Sequence, residues 1–277
     1  MLMTPFWEAW GINVIHVYGT ERFVPADAVL VHVDLSVVPE DYLEFAHRYP
    51  LVINGKITDI RKRSYSPNLL RSGDDYPGPV IIKTSLNSSG APEAFSRYTL
   101  QGQSFWQRLR RRLFSDSDPD QPFGIRDKKH YRIYPSLNKV PAKFLQSPDL
   151  VVEPFVPERH GEYYCLRECY FFGDVKVARC EVSLEPVFMS GEDAPELAEP
   201  PPQMIYDLRE HMHLDYGKID YVMREGKPVL FDVNKTTGVT SLQSVRGKED
   251  AGILAKGIFT YFPELKTKAE PVSVTHY

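Results

Sequence analysis

The chain has 277 residues, 42% of them hydrophobic and 25% charged, with a formal net charge of −4. That is an ordinary soluble composition, long enough for one large domain or two to three small lobes. The charge balance speaks against general attraction to nucleic acid or anionic membrane. No apolar run reaches the roughly 18 residues that span a bilayer, and no basic-then-apolar secretion signal is visible. Cys165, Cys169 and Cys180 form no disulfide framework and lack the paired spacing of a zinc site, so a reducing, cytoplasmic setting is expected.

The first sixty residues read as a small α/β lobe. Ile12–Tyr18, Ala28–Asp34 and Pro50–Asn54 have the length and β-branched content of strands. Pro39–Tyr49 has helical spacing, with Tyr42, Leu43, Phe45 and Ala46 as its apolar stripe and Glu40 and Asp41 in its first turn. Strand, strand, helix, strand favours a mainly parallel sheet. His16 and His32 lie within strands as packing residues.

A basic cluster follows at Lys56, Arg61, Lys62 and Arg63. Val80–Lys83 reads as a buried strand ending in a lysine, and Thr84–Gly90 as a loop of small residues. A strand-end lysine with such a loop can hold phosphate oxygens, though the order of a Walker A motif is absent. Phe95–Phe114 has a helical stripe of Trp106, Leu109 and Leu113 amid Arg108 and Arg110–Arg112, which reads as a solvated face, with a nucleic-acid patch as the alternative; Ser115–Gln121 is a polar loop.

Tyr131–Tyr134 is a short strand candidate. Leu150–Phe155 is a buried strand carrying one acid, Glu153, that needs a partner or a reason. Pro154 and Pro157 end it, so it becomes a linker able to offer backbone groups to a flat ligand. Glu162–Phe172 and Val175–Glu181 form a hairpin around Gly173-Asp174, with Arg167 on its first strand and Arg179 on its second. Pro186–Pro202 reads as a long mobile loop over an acceptor site, with Val187, Phe188 and Met189 as an apolar anchor, or as a solvated insertion. Gln203–His213 and Asp250–Phe262 read as helices, and the spacing of His211 and His213 does not suit a shared metal.

Lys218–Arg224 and Pro228–Asn234 flank a turn containing Gly226. With a three-residue loop Glu225–Lys227, Arg224 faces Pro228 and Asp220 faces Asp232, with Asn234 on the same face. Two opposed carboxylates repel, and a hard divalent cation would turn that penalty into a site. Another turn register would put Asp220 on the other face and leave an exposed hairpin.

The order of these pieces, from Gly11 to Phe262, resembles the ATP-grasp superfamily. Its most specific part is DVNKTTG at Asp232–Gly238, similar to the family's Glu-x-Asn-x-x-Pro-Gly metal motif, with Asp in place of Glu and Thr237 in place of Pro. The resemblance implies a mixed α/β and α+β fold: an N-terminal α/β lobe (1–62), then two α+β lobes (63–156 and 157–277) that clamp ATP. It implies Mg²⁺, or Mn²⁺ in its place, on Asp220, Asp232 and Asn234, and ATP phosphates on Lys62 and Lys83 under a loop of Asn87, Ser88, Ser89 and Gly90. Glu153, Phe155 and Val156 would line adenine, and Glu162, or Glu158 instead, the ribose. Arg167 and Arg179 would be catalytic, steadying the transferred phosphate.

The implied activity is a ligase that activates a small-molecule or peptide carboxylate as an acylphosphate for attack by an amine or thiol. A kinase acting on hydroxyls and a non-catalytic ATP-binding module are the alternatives. No nucleic acid or membrane partner is expected, and a homodimer is compatible.

Overall fold

The longest alternating runs of β-branched and aromatic residues become the strands of one antiparallel sheet. A computed structural model describes residues 1, 3–93, 131–188, 191–237 and 245–268. The large sheet contains β6 (Glu158–His160), β7 (Tyr163–Phe172), β8 (Val175–Ser183), β9 (Glu192–Asp193), β10 (Tyr216–Arg224) and β11 (Lys227–Asn234), in the order β11-β10-β7-β8-β9 with β6 on β7. A second antiparallel sheet has the order β4-β3-β5, from β3 (Val80–Thr84), β4 (Arg132–Tyr134) and β5 (Leu150–Pro154). Two short parallel strands, β1 (Val29–Leu30) and β2 (Val52–Ile53), carry the N-terminal segment. Parallel β1 and β2 with antiparallel larger sheets give the expected mixture of α/β and α+β.

Alternation decides what each face does. In β3, Val80 and Ile82 enter a core with Leu137, Val140, Phe144, Leu150 and Val152, which turns Ile81 and Lys83 the other way. In the large sheet, Cys169, Phe171, Ile219, Tyr221 and Val233 point to a back face covered by Ile57, Ile60, Ile205 and Leu214. Ile205 belongs to the helix Gln203–His211. Tyr170, Phe172, Val177 and Tyr216 point to the front, where α1 (Thr4–Ala9) brings Trp7 and the helix Val245–Ala255 brings Leu254. Farther along that front face, Leu166, Val222 and Phe188 form a smaller cluster. A band of charged residues lies between the two front clusters.

The hairpin reaches its expected register by a different route. Its loop is two residues, Glu225 and Gly226, both left-handed at φ 51 and 76, and Arg224 faces Lys227 rather than Pro228. Unbroken pairing would place Asp220 opposite Phe231. A bulge after Asp220 lets Phe231 stand unpaired, so Asp220 faces Asp232 and Lys218 faces Asn234.

Three expectations are corrected. Among the described residues, Ile12–Tyr18 pairs with no strand; Ile12 and Val14 satisfy their apolar side chains by packing on the Trp7 cluster. The Pro186–Pro202 segment is tied down, because Phe188 is buried, β9 pairs with β8, and the Leu197 carbonyl accepts a bond from Arg167. The last helix begins at Val245, earlier than Asp250, and ends at Ala255, with a tighter helical stretch through Thr260. The Phe95–Phe114 helix, the Ser115–Gln121 loop and Met189 lie outside the described residues.

Gly217 shows how closely the hairpin strands approach: a Cβ there would lie 2.2 Å from the Asn234 carbonyl oxygen. Backbone cannot swing aside as a side chain can. Gly217→Ala should lower stability by about 1–3 kcal/mol in urea denaturation. An unchanged midpoint would contradict the register.

Candidate functional site

Between the two larger sheets lies a cleft of about 600 Å³, including its open mouth. Ile81 and Lys83 come from β3, Pro154 from the end of β5 and Phe155 from the linker after it. Leu166, Asp220, Phe231 and Asp232 come from the large sheet, and Val187 and Phe188 from the loop after β8. One part of this lining is apolar and partly aromatic; the other collects Lys62, Lys83, Asp220 and Asp232. Such a mixture of apolar wall and a few converging polar groups is typical of a small-molecule site.

The charged end is a row across the sheet. Arg179 faces Glu168, Glu168 faces Asp220, and Asp220 faces Asp232. Like charges in register repel, and cations from other positions offset them. Lys218, on the same face, lies 3.0 Å from Asp220 Oδ1 and donates to Glu168. Lys62 Nζ donates to Asp232 Oδ1 at 3.0 Å and is 2% exposed. Tyr65 OH donates to the same oxygen at 3.2 Å. Lys62 and Tyr65 lie three apart on the short helix Lys62–Tyr65, so one face delivers both. Burial pulls the Lys62 ammonium down, and Asp232 more than reverses this, leaving it above the usual lysine range. Lys218 is raised in the same way, burial opposing and Asp220 and Glu168 favouring the charge.

On the opposite wall, Lys83 Nζ is 2.9 Å from Glu153 Oε2 and 4.6 Å from the Phe231 ring centroid. Ser66 Oγ donates to Glu153 Oε1 at 2.5 Å. Glu153, 3% exposed, therefore has the partner that its apolar strand demanded.

The small-residue loop is strained. Ser88, Ser89 and Gly90 are successively left-handed, with φ of 46, 57 and 76, at a cost of about 1–2 kcal/mol for each serine. Asn87 holds it: its Nδ2 donates to Asn234 Oδ1 at 2.7 Å, and its Oδ1 accepts the Ser88 N–H at 2.9 Å. The loop is thus bonded directly to the end of the hairpin.

Lys62, Lys83, Phe155, Asp220 and Asp232 meet at the cleft, with Glu153 behind Lys83 and Asn234 beside Asn87. Val156 is buried after the linker. Arg179 reaches the front face but is engaged by Asp250 and, at 3.7 Å, by Asp193. Arg167 is not brought to the cleft. Its odd position in β7 turns it to the back face, where it holds Glu158 through two nitrogens and Glu199 at 3.0 Å. Glu162 is exposed in the turn before β7, and neither it nor Glu158 lines the cleft.

Glu168, Lys218, Tyr65, Leu166 and Phe231 are the residues missed. The first two were legible in principle, since Lys218 is two residues before Asp220 and shares its face; Tyr65 was legible as the i+3 partner of Lys62. Phe231 depends on a bulge that carries no sequence signature.

Asp220, Asp232 and Asn234 supply oxygen donors only, which suits a hard divalent cation that keeps water and phosphate ligands. Among the described residues, no group of three or more His, Cys, Asp or Glu is arranged for a metal ion, so the hairpin offers two carboxylates and one amide. All three cysteines are buried; burial pushes the Cys169 and Cys180 thiols up to about 12. Among the described residues, no helix is long and apolar enough to cross a membrane.

No protein-family model matches the chain, and no curated protein does. Among solved structures, the chain is similar to the macrocyclase MdnC from Microcystis aeruginosa MRC, bound with precursor peptide MdnA. The identity is 14%, over 44% of this chain and 39% of that one, at a TM-score of 0.31. It is also similar to D-alanine–D-alanine ligase from Bacillus anthracis complexed with ATP, at 11% identity, 74% and 62% coverage and a TM-score of 0.32. The macrocyclase MdnB from Microcystis aeruginosa MRC gives 11%, 78% and 66%, and 0.34. The matched part spans less than two thirds of each of these chains. Likeness at this level carries no inference about chemistry, and the functional reading rests on the geometry of the cleft.

The buried Lys62 makes Asp232 a structural residue as well as a candidate ligand. Asp232→Asn should destabilise the protein by about 3–5 kcal/mol, because it strips a buried cation of its counter-charge. The raised Lys62 contributes stability fully below the ordinary lysine value of about 10.4 and loses it as pH rises through the higher folded value. The deficit of the variant should therefore be flat from pH 6 to 9 and shrink in strong alkali. Denaturation midpoints equal to wild type at pH 7 would contradict the pairing.

Proposed function

We propose that the chain has an ATP-grasp-like fold and is an ATP- and Mg²⁺-dependent ligase that activates a substrate carboxylate. The single observation that supports this is the cleft itself. An apolar, partly aromatic slot between two antiparallel sheets runs into two buried lysines and two opposed carboxylates. A purine base fits the first half and a polyphosphate with a divalent cation the second.

In this reading Ile81, Phe155, Leu166, Phe188 and Phe231 enclose the base. Lys83 and Lys62 take phosphate oxygens as point charges. Asp220, Asp232 and Asn234 hold Mg²⁺, which supplies charge neutralisation at the phosphates. The strained Asn87–Gly90 loop covers them, with the Asn87 and Ser88 N–H groups themselves engaged by Ser36 and by the Asn87 side chain. Arg179 is the arginine of the reacting face, whereas Arg167 braces the back of the sheet.

The chemistry is phosphoryl transfer followed by acyl transfer. A carboxylate oxygen of the substrate forms a bond to the γ-phosphorus as the bridging bond to ADP breaks. An amine or thiol then donates its electron pair to the acyl carbon, inorganic phosphate leaves, and the nucleophile's proton passes to solvent. Positioning and charge neutralisation carry the rate. The Pro186–Phe188 wall keeps water from the bound nucleotide.

Two measurements test the reading. With hydroxylamine present, ATP consumption on a pool of candidate acids should yield a trapped hydroxamate; a stable phosphoester would indicate a kinase, and no consumption a binding module. Lys83→Met combined with Glu153→Gln removes the lysine without stranding its buried partner. This pair should weaken ATP binding about tenfold more than adenosine binding. Equal losses for both ligands would place Lys83 away from the phosphates.

A further inference from the structure

The parts of the proposed site share one anchor outside the cleft. It is Val33–Ser36, the segment that follows β1. Ser36 Oγ accepts the Asn87 N–H at 2.8 Å, so it holds the strained loop. The Ser36 carbonyl accepts the Ile60 N–H at 2.8 Å, two residues before Lys62. The Ser36 N–H donates to Glu93 Oε1 at 2.7 Å. From the hairpin end, Lys235 Nζ donates to the Val33 carbonyl at 2.7 Å and to the Leu35 carbonyl. Thr236 Oγ1 donates to Asp34 Oδ1 at 2.7 Å.

A second clasp fixes the end of β2 to the same place. Asn54 is fully buried and left-handed at φ 60. Its N–H donates to Asp215 Oδ2 at 2.7 Å, its Nδ2 to the Tyr216 carbonyl at 2.7 Å, and its Oδ1 accepts the Tyr216 N–H at 2.9 Å. Nδ2 also reaches the Lys235 carbonyl at 3.4 Å. The carboxyl ends of both parallel strands are thereby pinned to the hairpin.

Lys235 is 1% exposed. Among the described residues, its ammonium meets carbonyls and no carboxylate at ion-pair distance. Burying such a charge is expensive, and a methionine would fill the same volume without that cost. What the ammonium adds is a fixed separation between two carbonyls of one lobe and the Asn234 end of the other.

We infer that Lys235 is a positioning residue whose clamp on Val33–Ser36 holds the Asn87–Gly90 loop and the Asn234 end of the hairpin in one arrangement, coupling metal–nucleotide binding to the N-terminal lobe. The coupling rests on the ATP reading above; the clamp does not. Two sites gain linkage when one element with a defined arrangement is biased by both, and Val33–Ser36 touches both.

The test is Lys235→Met in the full chain, read in two ways. Without any ligand, amide exchange at Asn87 and Ile60 should quicken about tenfold, while Phe171 and Val177 in the large sheet change by less than about twofold. With ligands, Mn²⁺–ATP affinity should fall about tenfold and adenosine affinity by less than about twofold. Uniformly faster exchange, or unchanged exchange at Asn87 and Ile60, overturns the clamp. Equal losses for Mn²⁺–ATP and adenosine, or no loss for either, overturn the coupling. If Lys235→Met does not fold, Thr236→Val at the exposed neighbouring bond should show the same pattern at smaller size, and unchanged Asn87 exchange there overturns the clamp. A wild-type protein that binds no ATP overturns the functional reading and with it the coupling, while the exchange arm still decides the clamp.

Discussion

Everything at the cleft depends on keeping three carboxylates in register across a sheet. Glu168, Asp220 and Asp232 stand opposite one another on adjacent strands, an arrangement that a sheet by itself disfavours. Lys218 offsets two of them from within β10, and Lys62 offsets the third from a separate helix. Because Lys62 belongs to the segment joining β2 to β3, the charge row also ties the parts of the chain together. The same pairs that make the row tolerable preserve a dense local field, which is what a metal–polyphosphate ligand needs.

The strain in the Asn87–Gly90 loop belongs to the same economy of forces. Consecutive left-handed serines persist only where the surroundings over-determine them. Here Ser36 holds the Asn87 backbone and Asn234 holds its side chain. The loop is therefore set by contacts from both the segment after β1 and the hairpin, and its shape reports on how those two sit together.

Much of this was legible in the sequence, and the exceptions are instructive. Period-two alternation sent Lys83 to the cleft and Val80 and Ile82 to a core, and it sent Asp220 and Asp232 to one face. The hairpin's register was right although its loop was not, because a two-residue turn and a bulge at Phe231 combine to the same pairing as a three-residue turn. Arg167 drew its catalytic role from the resemblance, yet the face it shares with Cys165 and Cys169, legible from period two, is the back one. Ile12–Tyr18 has strand composition, yet its Ile12 and Val14 side chains pack on the Trp7 cluster and no described strand pairs with it. The loop after β8 looked mobile from its prolines and acids, and Phe188 and the short β9 hold it instead. Contacts such as Asn54 with Tyr216 or Lys235 with Val33 join residues some 160 to 200 positions apart and leave no local trace.

The most direct test of the central account is where a paramagnetic cation lands when nucleotide is present. Mn²⁺ added with ATP to isotopically labelled protein broadens the amide signals nearest the metal. Signals around Asp220, Asp232, Asn234 and Asn87, and of the paired Glu168, should be lost, with those at the far strand ends, such as Glu162 and Gly226, retained. Broadening centred anywhere else, or none at all with ATP bound, would contradict it.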